Sequence, residues 1–362
     1  MKRRTALGIS LAAVCAAGAL TCASPGYLVR AGLEEARILS RRRPIARVVQ
    51  DAATPAEERR KLRLVLQARD FAASALDLNA GESYTTYSWV DSDTLLLVVS
   101  GAYRDRFQPY TWWFPIVGRV PYKGFFDFDA AHAEAARLRR AGFDASVRPS
   151  AAFSTLGWFN DPLLNTVLRY GDVALANTVI HELTHNTLYL PGQAAFNESL
   201  ANFVGDVGAS EFFCTRDGES SETCRLARDG WADNLIFGAF LDDLIARLET
   251  LYGRTDLNSE EKVARREGVF RAALERFAAD VEPQMRTSAF RGFADRHLDN
   301  AVLIGMRLYY RRLDLFDRVH RRLGGPLAAS IDAMIDAVRQ RPDDPFAAVE
   351  ALVEWEPGAD PG

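Results

Sequence analysis

The chain of 362 residues is poor in the side chains that most often announce chemistry, with only four cysteines and five histidines. No cysteine stands at metal-ligand spacing from another, so a thiolate-built metal site is excluded. Charge of one sign is lacking too: 44 Lys and Arg face 48 Asp and Glu, for a net charge of −4. That balance reads as a mixed, solvated surface and gives no electrostatic case for nucleic acid as a partner. There is no internal repeat, no low-complexity tract beyond alanine richness, and no linker rich in Pro, Gly or Ser. Residues 23–362 therefore read as a single domain, and a 48% apolar content is enough to bury its core.

Long apolar runs are also missing, apart from one at the start. Lys2, Arg3 and Arg4 precede an apolar stretch from Ala6 to Leu20 that is too short to be a comfortable spanning helix. This is the pattern of an export signal, over residues 1–22. Cys22 ends it in Ala19-Leu20-Thr21-Cys22, which loosely resembles a bacterial lipobox. The expectation is a lipidated Cys22 that tethers an exported protein to the envelope membrane, facing the periplasm. Thr21 departs from the usual small residue before the cysteine, and cleavage near Ala19 to a soluble product is the alternative. In an oxidising compartment Cys214 and Cys224 can pair, which would stabilise by about 2–3 kcal/mol in the chain-entropy model. Two unpaired thiols are the other possibility.

The periodicity predicts an α+β fold. Arg30 to Arg43 and Pro55 to Leu78 carry apolar residues at helical spacing. Strand signals follow at Tyr84–Val90, Thr94–Tyr103, Thr111–Val120 and Phe143–Pro149, with a helix from Asp127 to Ala141 that stops at Gly142. Together they predict a small, mostly antiparallel sheet in a lobe of about residues 23–160. From residue 161 nearly everything reads as helix: 172–190, 194–213, 222–252, 258–282, 298–322, 326–339 and 344–354.

Two of the five histidines fall in His181-Glu182-Leu183-Thr184-His185, inside a predicted helix. Histidines four apart lie on one helix face, one turn apart, so both imidazoles can reach a zinc ion at about 2.0–2.1 Å. Glu182 then points to the open side of the metal, where a carboxylate can take a proton from a bound water. Catalytic zinc needs a third protein ligand. Pro191-Gly192 turns the chain, and Glu198 stands as far beyond that turn as His185 stands before it. At about 1.5 Å per residue the two come to similar heights on a helical hairpin, which makes Glu198 the expected third ligand. Asp206 and Glu211 lie two and three turns further on, too far to compete.

His181 to His185 followed by Asn197-Glu198-x-x-Ala201 resembles the gluzincin peptidases, which pair H-E-x-x-H with N-E-x-x-A, although the connection here is much shorter. More closely, the chain resembles a bacterial family of zinc aminopeptidases that are generally predicted lipoproteins. That resemblance extends over nearly the whole mature chain. It includes Gly26-Tyr27, Arg42-Arg43-Pro44-Ile45, Val117 to Asp127, Ser154 to Leu163, and Asn300-Ala301-x-Leu303 with Tyr309 and Phe316. It implies an aminopeptidase acting on short peptides.

An oxyanion donor should accompany the zinc. Tyr309, in the family block, is the candidate, with Tyr310 beside it. His132, His297 and His320 carry no functional expectation. Ser154 to Asp161 could line the substrate cleft or serve only as a structural turn. No acidic residue stands out to hold a substrate amine. An envelope endopeptidase, or a non-catalytic envelope protein braced by zinc, remain the alternative readings.

Overall fold

The computed structural model describes residues 37–91, 94–114, 118–150 and 162–354. The export signal, Cys22 and Ser154 to Asp161 lie outside those residues. The α+β expectation holds, with a predominantly helical C-terminal half.

In place of one sheet, the described residues form three small ones. Strands β1 (Arg43–Pro44), β2 (Thr86–Ser88) and β8 (Leu163–Leu164) form the first, with β2 and β8 parallel. The second has β3 (Leu96–Ala102) at its centre, antiparallel to β6 (Tyr122–Phe125) and to β7 (Asp144–Ser150). Strands β4 (Trp112–Phe114) and β5 (Gly118–Val120) make a separate antiparallel pair. The uninterrupted apolar run of β3 follows from its burial on both faces. Leu97 and Val99 join a cluster with Trp112, Phe125 and Leu138, while Leu96 and Val98 pack with Ile38, Leu95 and Leu164.

Where a helix was expected from Arg30 to Arg43, the described part is helical only to Ser40. Strand β1 follows, and then α1 (Ile45–Gln50). Helix α2 (Ala56–Ala75) runs from Pro55, with Glu57 and Glu58 in its first turn where the helix dipole favours them. Helix α3 (Phe128–Arg140) is capped by the Asp127 side chain on Ala130 N–H and ends at Gly142, whose φ of +83° suits a residue without Cβ.

The helical half contains α4 (Asp172–Thr187), α5 (Ala194–Asp217), α6 (Glu222–Tyr252) and α7 (Ser259–Arg276), followed by α8 (Asn300–Tyr310), α9 (Leu313–Leu323), α10 (Leu327–Gln340) and α11 (Pro345–Glu354). Helix α7 starts on a capping box made by Asn258 and Glu261. It passes into a π turn at Phe277–Val281 and a tighter turn at Glu282–Gln284, so the helix expected over 258–282 ends early. Pro283 cannot supply the N–H that a continuing helix needs. The helix expected over 298–322 is two helices, broken at Arg312 with a left-handed φ of 52°. No glycine or proline marks that break. Tertiary bonds impose it: Ser199 Oγ accepts the Arg311 N–H and donates to Leu308 O, and Arg312 reaches Glu350 with both guanidinium nitrogens at 3.1 and 2.5 Å.

The two halves are joined by polar groups buried between them. Arg266 of α7 is 2% exposed and grips Asp144, the first residue of β7, at 2.6 and 2.9 Å. Asn300 donates its backbone N–H to the same carboxylate and its side-chain amide to the Tyr103 carbonyl, and accepts from the Tyr252 hydroxyl. Each member is satisfied, which is the condition for burying such a network at tolerable cost. As a result α8 lies across β3 and β7. No helix of the described residues is long and apolar enough to cross a membrane.

Candidate active site

Helix α4 buries Leu175, Ala176, Val179, Ile180 and Leu183, a stripe at helical spacing, and turns His181 and His185 toward α5. Two glycines in α5 let the helices approach. A Cβ on Gly205 would stand 3.2 Å from the His181 Cβ, and one on Gly208 would stand 3.1 Å from the Ile180 Cγ2. The helix ends at Thr187, three residues short of the expected 190, because Asn197 captures the turn. Its side chain accepts from the Leu190 N–H at 3.0 Å and donates to the Leu190 carbonyl at 2.8 Å, so a buried, irregular stretch of backbone is satisfied. Holding that turn also sets the start of α5, and with it the height of the neighbouring Glu198.

The hairpin brings His181, His185 and Glu198 together. His181 Nε2 and His185 Nε2 are 3.2 Å apart, and Glu198 Oε2 lies 3.4 Å from the first and 3.6 Å from the second. Their donor atoms all lie within 4.8 Å of one another, close enough to share one metal ion, and neither Asp206 nor Glu211 joins them. Burial alone would raise the Glu198 pKa, yet its hydrogen bonds to His181 and His185, with their charges, bring it down to about 2. Burial opposes charge on His181, but Glu198, Glu182 and Asp206 outweigh it and raise its pKa. The pole is thus rich in negative charge, suited to a cation. Glu182 is partly exposed beside it. Asp206 is held by the Asn177 and Asn234 amides at 2.5 and 2.8 Å, and burial pushes it up to about 6.

Tyr309 and Tyr310 part company at the end of α8. Tyr310 packs 4.9 Å from Phe237 in the aromatic cluster of α6. The Tyr309 ring faces the His181 imidazole at 6.4 Å and 28°, and its backbone carbonyl is held by the Asn202 amide at 2.8 Å. Residues of α5 on either side of Ala201 therefore position Tyr309 against the donor cluster. Burial and the Glu198 charge push its hydroxyl up to about 12, so it is protonated at neutral pH and able to donate.

Three residues near the donors carried no functional expectation. Arg148 of β7 lies with its Cζ 5.8 Å from the Tyr309 ring centroid. Tyr122 and Tyr189, 42% and 46% exposed, have hydroxyls raised by burial and by the Glu198 charge. Tyr122 stood within a family block, but nothing in the strand pattern around Arg148 distinguished it. The other histidines stay apart. His320 bonds Ser330 at 2.8 Å beside Phe203, and His132 is exposed. Cys214 and Cys224 are joined as a disulfide across the α5–α6 turn, with Cα atoms 4.6 Å apart. The aromatics of β4 divide: Trp112 is buried and donates to Glu134 at 2.8 Å, whereas Trp113 is 40% exposed.

Residues 26–344 match the model of the family described as "Putative aminopeptidase". The chain belongs to that family. Membership points to peptidase activity and says nothing of the metal. No curated protein and no solved structure matches the chain.

Proposed function

We propose that this member of the aminopeptidase family is a zinc-dependent peptidase, with His181, His185 and Glu198 as the metal ligands. The observation that carries the reading is the spacing of the three donor atoms, 3.2, 3.4 and 3.6 Å. Bonds of about 2.0–2.2 Å at tetrahedral angles require donors about 3.3–3.6 Å apart. The set therefore fits a small cation with two imidazoles and one carboxylate. That ligand type favours zinc, and three protein ligands are the number typical of catalytic sites.

When bound, zinc supplies an acidified water and polarises the scissile carbonyl. With the metal held by His181, His185 and Glu198, Glu182 would serve as the base that accepts the proton of the attacking water and returns it to the leaving amine. The protonated hydroxyl of Tyr309, whose ring faces His181 from α8, would donate to the oxygen on which charge develops. Asn202 and Ser199 hold the backbone around Tyr309, so this donor is oriented before substrate arrives. Aminopeptidase action on short peptides is the leading form. Export to the envelope, with a lipid anchor on Cys22, belongs to the same proposal and rests on the signal pattern of residues 1–22.

The test is metal content and cleavage of an amino-acid amide, measured on the purified protein and on Glu182→Gln. Near-stoichiometric zinc in both, with activity confined to the parent, is the expected result. Absence of zinc from both would remove the reading. Equal cleavage of the N-acetylated amide would remove the aminopeptidase form while leaving a peptidase.

A further inference from the structure

One charged side chain beside the donor cluster is left without a task by this mechanism. Arg148 sits on β7 opposite Val98 of β3, in a ladder of seven paired positions. The strand is anchored at its start by the Arg266 grip on Asp144, so the arginine rises from a rigid base. Its guanidinium lies over the Tyr309 ring, and that ring faces His181. The Tyr122 hydroxyl also senses the Arg148 charge together with that of Glu198. Arg148, Tyr122 and Tyr309 thus form one wall beside the metal pole.

Several other arginines with buried or half-buried side chains are neutralised. Arg60, Arg137, Arg266 and Arg312 each hold a carboxylate at 2.5–2.8 Å. Arg148 is half-buried, and among the described residues its guanidinium is paired only with the Tyr309 phenol and ring. The nearby carboxylates Glu182 and Glu198 are the base and a metal ligand in the mechanism above. A partly desolvated guanidinium with unfilled donors is best satisfied by a carboxylate, which it can hold through two parallel hydrogen bonds. In a peptidase cleft that carboxylate comes with the substrate.

We propose that Arg148 is a specificity-determining residue that binds a carboxylate of a short peptide substrate, near the scissile bond. The proposal rests on the zinc-peptidase reading. The ring contacts of 6.4 and 5.8 Å, taken end to end, limit the distance from His181 to the guanidinium. At about 3.3–3.6 Å per extended residue, the carboxylate lies no more than roughly three residues from the bond cleaved. A free C-terminus of a di- or tripeptide supplies such a group, and so does an acidic side chain close to that bond.

The experiment measures binding without turnover, by calorimetry on the zinc-loaded Glu182→Gln protein. Alanyl-phenylalanine is compared with its C-terminal amide, and alanyl-glutamate amide with alanyl-glutamine amide. A charge-assisted pair predicts roughly 10- to 100-fold tighter binding of the charged member in one of these comparisons. The first comparison reports a terminal carboxylate and the second a side chain. Adding Arg148→Met should abolish the preference with zinc content unchanged, and adding Arg148→Lys should retain part of it.

Equal binding within both pairs, or no binding of any of the four peptides at millimolar concentration, overturns the proposal. So does a preference that survives Arg148→Met, since the carboxylate would then be held elsewhere. If Arg148→Met does not fold, the paired peptides and Arg148→Lys still decide. The two readings fail separately: a protein that cleaves the charged and uncharged members of both pairs equally well loses the Arg148 assignment and remains a peptidase.

Discussion

Replacing Gly205 by alanine tests whether the close approach of α4 and α5 builds the proposed metal site. The new Cβ would meet the Asn177 carbonyl oxygen and the His181 Cβ, both at 3.2 Å, and the Asn177 Oδ1 at 2.9 Å. The first two contacts fall about 0.2 Å short of the 3.4 Å at which ordinary contact begins. They involve main chain and the His181 Cβ, so the helices must separate. The third forces the Asn177 amide to turn, breaking its 2.5 Å bond to Asp206. Overpacking costs about 1–3 kcal/mol. A helical Gly→Ala change returns about 1 kcal/mol, so the net loss is about 0–2 kcal/mol.

The larger effect falls on the metal. Glu198 rides on α5 while both histidines ride on α4, and metal–ligand distances tolerate only about 0.2 Å of change. Zinc affinity should fall roughly 10- to 100-fold, the range seen when groups that orient ligands are disturbed. The assay is competition with a chelator of known affinity, alongside thermal melting. Gly208→Ala is the comparison: its Cβ meets side-chain methyl groups of Leu76 and Ile180, so stability should drop with a smaller change in zinc affinity. Gly230→Ala in α6, with nothing within 4 Å, should stabilise. If Gly205→Ala binds zinc as tightly as the parent, the close approach is not what sets the ligand geometry.

Two further substitutions probe the frame around the site. Asn197→Ala would strand the N–H and carbonyl of Leu190 in a buried turn and should cost about 2–4 kcal/mol in urea unfolding; a loss below about 1 kcal/mol would show that water replaces the amide. Arg266→Met would leave Asp144 with only the longer, half-exposed ion pair to Arg104 at 3.5 Å and should cost up to about 3–5 kcal/mol. Much of that loss should return in the double variant with Asp144→Leu, measured by the same unfolding curves. Failure of the second change to restore stability would mean that the Asn300 contact, and not the ion pair, carries the junction.

Much of the geometry of the candidate site was legible because its signals are local. His181 and His185 are one helical turn apart, and no tertiary information is needed to put them on one face. Glu198 could be placed from the symmetry of a hairpin about Pro191-Gly192, since the rise of a helix is constant. The strands and most helices followed from periodicity and from punctuation such as Gly142. The failures came where distant residues override local preference. The break at Arg312 has no glycine or proline, and is imposed by Ser199 and Glu350 from other helices. The α4 terminus moved to Thr187 because Asn197 claims the Leu190 backbone.

By itself, then, the sequence determined the donor types, their helical spacing and the α+β character, because each depends on the chain's own periodic geometry. Only the tertiary structure decided that Tyr309 and not Tyr310 faces the donors, and that Arg148 and Tyr122 from two strands of the sheet stand beside them. Those placements depend on how α8 lies across β3 and β7, fixed by the buried Asp144, Arg266 and Asn300. Asp144 stands more than a hundred positions from both Arg266 and Asn300, and no local pattern encodes that they will meet.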